Sequence, residues 1–199
     1  MKILLVGASG TLGMAVRKEL GNRHEIISAG RSSGDFRVDL TDEASIKAML
    51  DSVGTVDAIA SAAGHVTFAP LAELDAAAFA VGLNDKLMGQ VNLVRQGVAH
   101  VVDGGSFTLI GGILSEHPIL AGASASMVNA ALEGFVRAAA IELPRGIRIN
   151  VVSPTVLVES MDKYGPFFRG FEPAPAFRVG LAYSRSIEGA GTGQVLKVY

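Results

Sequence analysis

The chain has 199 residues, with 17 Lys and Arg against 19 Asp and Glu for a net charge of −2; the length suits one domain, and the charge gives no electrostatic case for a nucleic acid or an anionic membrane as partner. It contains no cysteine, which removes disulfides, thiolate nucleophiles and sulfur-ligated metals. Hydrophobic residues make up 49%, ample for a packed core, and the 24 glycines exceed the usual share of about 7%, so many tight turns or close backbone approaches are expected.

Ile3-Leu4-Leu5-Val6 is a continuous apolar run, as in a parallel strand covered on both faces, and it is too short for a signal peptide. The glycine-rich stretch Gly7-Ala8-Ser9-Gly10-Thr11-Leu12-Gly13 follows, and residues 11–20 then place Leu12, Ala15, Val16 and Leu20 at helical spacing before Gly21. Further strands are predicted at residues 24–29, 36–38, 56–60, 106–110, 147–152 and 194–198, and helices at 42–50, 77–101, 124–142 and 174–186. On the helix 124–142, Met127, Ala131, Gly134, Ala138 and Ile141 form one apolar face, with Glu133 and Arg137 paired at i,i+4 elsewhere. Strand and helix in repeated alternation predict an α/β fold: a single doubly wound parallel sheet of about seven strands with helices on both faces, in one domain over residues 1–199. Residues 155–175, with Pro166, Pro173, Pro175, Phe167, Phe168 and Phe171, read either as a substrate lid or as a packed surface loop. Uncharged stretches such as 118–132 fall short of the roughly 20 apolar residues of a membrane span, and a soluble, cytoplasmic protein is expected.

The glycine turn lies between the first strand and first helix, where backbone N–H groups can approach a pyrophosphate at the positive end of the helix. Gly7 permits the tight turn, Gly10 the close approach and Gly13 the packing of helix on strand, with Ser9, Thr11 and Leu12 completing the loop; a merely tight structural turn is the alternative. At the end of the second strand an acid would bond a free ribose 2′-hydroxyl. The chain has Ala29-Gly30-Arg31-Ser32-Ser33 there instead. The planar fork of Arg31 suits a phosphate, and Ser32 adds a hydroxyl, so the reading is NADP(H) rather than NAD(H), against a solvated surface Arg.

With that turn, several later stretches resemble the short-chain dehydrogenase/reductase family. Asp39-Leu40 looks like its adenine contact, and Ser61-Ala62-Ala63-Gly64 resembles its Asn-Asn-Ala-Gly turn with both asparagines replaced. Residues 130–135 and 139–143 are similar to its long catalytic helix, 146–154, ending at Pro154, to its sixth strand and following turn, and 192–196 to its last strand. The resemblance implies a Rossmann fold, a nicotinamide cofactor held by Gly7, Ser9, Gly10, Thr11, Leu12, Gly13, Arg31, Ser32, Asp39, Leu40, Ala62, Ala63, Gly64, Lys86 and Pro154, and a small carbonyl or alcohol substrate.

The family's catalytic Tyr lies four residues before a Lys on the long helix; here those positions are Ala125 and Asn129, or Ala123 and Met127 if the frame slides by two. Its Ser falls on Gly111 or Gly112, and its Asn, three residues before a Gly, falls on Lys86 when counted back from Gly89. Lys thus stands where the family has Asn, and Asn129 where it has Lys, which implies an exchange: Lys86 supplies the ammonium and Asn129 the hydrogen-bond relay. Asn84 takes the Asn role if the register slips by two. Proton donors under this reading are Lys86, His117 beyond the fifth strand, or water, and a Tyr brought in from Lys163-Tyr164 is a further option. His117 also reads as a surface residue, His65 as a loop residue, and His24 and His100 as structural; no His spacing suits a metal. Two functions remain open, an NADP(H)-dependent oxidoreductase with an atypical site and a catalytically silent NADP(H)-binding or sensing protein. The resemblance also implies a homodimer or homotetramer through the two long helices, rich in Gly82, Gly89, Gly97, Ala130, Ala131 and Gly134, unless these small residues serve only packing on the sheet.

Overall fold

The computed structural model describes residues 1–199. Its strands are β1 (Lys2–Val6), β2 (Glu25–Gly30), β3 (Phe36–Arg37), β4 (Val56–Ser61), β5 (Val101–Ile110), β6 (Arg148–Pro154) and β7 (Val195–Val198). They form one sheet in the order β3-β2-β1-β4-β5-β6-β7, with every neighbouring pair parallel. The helices are α1 (Thr11–Leu20), α2 (Glu43–Val53), α3 (Ala76–Val81), α4 (Gly89–Gly97), α5 (Ala123–Glu142), α6 (Met161–Tyr164) and α7 (Ala176–Glu188).

Successive residues of a strand point to opposite faces, so the apolar run of β1 feeds two cores. Leu4 and Val6 join a cluster with Ile46 and Leu50 of α2, Leu93 of α4 and Val128 and Leu132 of α5. Ile3 and Leu5 join one with Val16 and Leu20 of α1 and Val179 and Tyr183 of α7. This is the doubly wound Rossmann-like arrangement that strand–helix alternation predicts. The order of strands reverses about β1, between β2 and β4, and a crevice opens at such a switch point beyond the carboxyl ends of the strands.

The structure departs from the sequence reading in three places. The continuous helix expected at 77–101 is broken: α3 passes into a π-helical stretch, Gly82–Met88, before α4 begins, and a short 3-10 turn, Val98–His100, ends it. Residues 101–105 belong to β5, where the register shifts against β4 between Val56 and Ala58. The apolar face Met127, Ala131, Gly134, Ala138 and Ile141 does not pack on the sheet; it is exposed, and α5 buries Ala125, Val128, Leu132 and Val136 instead. The pair Arg137–Glu133 forms at 3.0 Å.

Candidate functional site

The site begins at the turn after β1. A Cβ at Gly7, whose φ is +84°, would meet Ala63 Cβ at 2.8 Å, and one at Gly13 would collide with the Gly7 carbonyl oxygen. At Gly10 the nearest atom is 3.6 Å away, so that side of the loop is open to a ligand. No side chain caps α1, and the amides of Thr11, Leu12 and Gly13 have no acceptor in the protein. Unpaired amides at the positive end of a ten-residue helix fit a pyrophosphate, and Leu12 packs its side chain inward. The crevice is a cavity of about 360 Å³ lined by Gly7, Ser9, Arg31, Ser32, Leu40 and Ala62 among others.

Charged groups gather at one end of this cavity. Arg31 Nη2 donates to Asp39 Oδ1 at 3.0 Å and lies 3.7 Å from Asp85 Oδ2, while His65 Nδ1 stands 2.9 Å from the same Asp85 oxygen. Asp39 accepts from the Thr41 amide at 2.9 Å and the Thr41 hydroxyl at 2.7 Å; these bonds, with Arg31 behind them, hold its carboxyl below the usual range. The Ser33 hydroxyl bonds that of Ser9 at 2.8 Å, joining the β2 end to the glycine turn.

A second cavity, about 250 Å³, meets the first at Gly64. Lys86 and Asn129 both line it. Lys86 Nζ donates to the Gly111 carbonyl at 2.9 Å and Asn129 Nδ2 to the Gly112 carbonyl at 3.2 Å, so the two side chains converge on consecutive carbonyls. Burial among apolar neighbours pushes the Lys86 ammonium down to about 8. Asn129 Oδ1 is buried without a partner, as is Thr155 Oγ1 on the same cavity. The walls are apolar and aromatic, with Val66, Phe68, Leu114, Val156 and Phe168.

Local structure explains the placing of Lys86. The π-helical stretch turns its stem across Gly64, where a Cβ would meet Lys86 Cγ at 2.6 Å, so the glycine makes room for the lysine. Gln90, wholly buried, donates to the Lys86 carbonyl at 2.9 Å and the Ile110 carbonyl at 3.0 Å and accepts from the Ile110 amide at 2.9 Å. It thereby pairs the end of β5, which β4 is too short to reach. Asn84 is exposed and lines neither cavity.

Other candidates fall elsewhere. His117 is exposed and lines a separate depression with Tyr199 and Phe171, because the turn after β5 buries Ile113 and Leu114 and directs the following residues outward. Pro154 lines the second cavity rather than the glycine-turn cavity. Ala125, at the position of the family's Tyr, is buried and lines the second cavity, as do Gly111 and Gly112; the next hydroxyl, Ser115, is engaged by Glu133 at 2.5 Å. Tyr164, from the 155–175 segment, does reach the cavity, its ring tilted against that of Phe68 with centroids 6.1 Å apart. That segment is pinned at its neck by Leu157 and Ala174 and anchored by buried Phe168. Asp85, Gln90 and Thr155 are site residues that no motif singles out; only their polarity in otherwise apolar surroundings marks them.

A parallel sheet with an open glycine turn at its switch point and a polar pair in the adjoining cavity defines a dinucleotide-binding protein of the Rossmann class. The family profile described as enoyl-(acyl carrier protein) reductase matches residues 8–174, and the chain belongs to the short-chain dehydrogenase/reductase family, a family of oxidoreductases with nicotinamide cofactors. The crystal structure of the protein lin1944 from Listeria innocua is 56% identical over the whole of both chains, with a TM-score of 0.99. L-xylulose reductase of Mesocricetus auratus is 26% identical over 165 residues, 81% of this chain and 68% of the relative. A small-chain dehydrogenase in complex with NADPH shares the fold, with a TM-score of 0.88 at 22% identity, covering 100% of this chain and 96% of that one.

Proposed function

We infer that the protein is an NADP(H)-dependent oxidoreductase that reduces a small carbonyl compound, or oxidises the matching alcohol, with Lys86 in place of the family's usual proton donor. The observation that carries this is the Lys86 ammonium, held at a cavity wall by one carbonyl and weakened as a base by burial. NADPH, when bound, supplies the hydride. The free amides of the glycine turn and the Arg31 fork hold its phosphates; Ser32, Leu40, Ala62 and Ala63 line the slot beside them. Lys86 orients the carbonyl oxygen and gives it a proton. Asn129, with an acceptor left free, takes a hydroxyl donor and keeps the lysine's neighbour carbonyl in place. Apolar walls exclude water, and the 155–175 segment closes the substrate side with Tyr164 and Phe168. The walls suit a compact, largely apolar substrate.

A silent, cofactor-sensing protein is the second reading, favoured by Ala125 and Gly111–Gly112 where hydroxyls would stand. Incubation with NADPH and a panel of small carbonyl compounds separates the two: consumption of NADPH on any member supports the enzyme, and tight binding without turnover or hydride exchange supports the sensor. The exposed α5 face, in which Gly134 has no neighbour within 4 Å of a Cβ, supports a homodimer or homotetramer; an interior helical glycine costs about 1 kcal/mol against alanine, and a close partner explains it. Gly82, Gly89 and Gly97 face Val128, Leu40 and Phe107 of their own chain, so they serve internal packing.

A further inference from the structure

Asp85 has no role in the reading above, yet it is the buried member of the charged group at the first cavity. Its carboxylate is one-tenth exposed and faces His65 at 2.9 Å and Arg31 at 3.7 Å. Arg31 comes from the end of β2 and Asp85 from the π-helical stretch, so the pair joins two walls of the cavity that both line. Asp39 holds the same guanidinium nitrogen. One guanidinium against two carboxylates leaves one uncompensated negative charge, at the place where the fork of Arg31 has to receive a phosphate. A phosphomonoester brings a further charge of about −1.5 to −2, and carboxylates at this range compete with it for the same donors.

Of the groups near Asp85, His65 is the one that faces its carboxylate and can change this balance. Lys86, next along the π-helical stretch, is turned to the Gly111 carbonyl. Asp35 is taken by Ser28, and Arg37 bonds the Gly34 carbonyl. His65 therefore faces Asp85 directly, with Arg31 and Asp39 behind it. A histidine changes charge between about pH 5 and 8, and an imidazolium at Asp85 offsets that carboxylate's charge.

Resting on the NADP(H) reading of this cavity, we propose that Asp85 and His65 set the preference for the phosphorylated cofactor: the Asp85 carboxylate opposes the 2′-phosphate at Arg31, and a proton on His65 offsets that charge. Binding of NADPH is then coupled to proton uptake beyond any that accompanies NADH, which has no 2′-phosphate.

Calorimetric titration of the whole protein with NADPH and with NADH, between about pH 6 and 8 and in buffers of different ionisation enthalpy, tests this. The wild-type protein binds NADPH more tightly at the acid end, with net proton uptake beyond any it shows for NADH. Asp85→Asn tightens NADPH at the alkaline end by about three- to tenfold and leaves NADH unchanged. His65→Asn, a change at a side chain 74% exposed, holds NADPH at its weak, high-pH affinity and retains only the dependence due to the phosphate's own titration. An Asp85→Asn protein with unchanged NADPH affinity, or with NADPH and NADH weakened alike, overturns the proposal, as does a His65→Asn protein with the wild-type proton uptake. Wild-type protein that binds NADH but not NADPH at any pH overturns the cofactor reading itself.

Discussion

At the scale of single residues the site turns on Lys86. Its pKa of about 8, lowered from 10.5 by burial, makes it charged below that pH and neutral above. Carbonyl reduction that draws its proton from this group falls as the pH rises through about 8, and alcohol oxidation rises over the same interval; kcat/KM measured in both directions shows the opposed profiles. The sign for stability is separate: burial disfavours the ammonium, so the folded state gains stability as pH climbs from about 8 towards 10.5. Gly64 gives a steric check. A methyl group there reaches Lys86 Cγ at 2.6 Å and Gly64 itself has a φ of +141°, so Gly64→Ala displaces the lysine. Turnover then drops by about tenfold or more, a displacement near 1 Å being enough for losses of that order, while the fold persists by circular dichroism.

At the scale of elements, the π-helical stretch is what places Lys86 and Asp85 on the two cavities, and Gln90 is its fastening. Gln90→Leu leaves the Ile110 amide and carbonyl and the Lys86 carbonyl without their side-chain partner in a buried place. A cost of about 2–3 kcal/mol follows, read as a lower midpoint of denaturation with an unchanged slope. Helix α7 carries a second fastening, the Tyr183 hydroxyl donating to the Ser61 carbonyl at 2.5 Å, just before the Ala62–Gly64 turn. These particulars mark the limits of what patterning conveys. Residues 77–101 carry helical periodicity throughout, so a break into α3, π-helix and α4 leaves no trace in the pattern. Gly82 and Gly89 lie at its ends, yet a glycine in a helix signals either a break or a close packing partner. The start of α7 moves from 174 to Ala176 because Pro175 takes the cap position.

At the scale of the whole molecule, the fold follows from the alternation of short apolar runs with amphipathic segments, and the glycine turn is legible because its position after β1 dictates its chemistry. The polar pair of the second cavity was legible only through the spacing of Lys86 to Gly89 and of Asn129 to residues 130–135. Of the two readings of His117 the structure favours the surface one, because a loop residue's direction depends on which neighbours the core claims, here Ile113 and Leu114. The α5 face shows a related limit: an apolar stripe does not say whether sheet or partner covers it. Because Gly134 has open space around it, Gly134→Arg leaves the protomer folded and, under the homo-oligomer proposed for this face, gives monomers in light scattering after size exclusion. The two cavities meeting at Gly64 form one cleft, from Arg31 at one end to Phe168 at the other, and under the proposed function this cleft holds NADPH against a substrate protonated by Lys86. Lys86→Met, measured for NADPH affinity by calorimetry and for carbonyl reduction by NADPH consumption beside the wild-type protein, tests it most directly. Cofactor binding stays within a few-fold of wild type and turnover falls by about 10²-fold or more; a variant that reduces the same compounds at the wild-type rate contradicts a proton-donor role for Lys86.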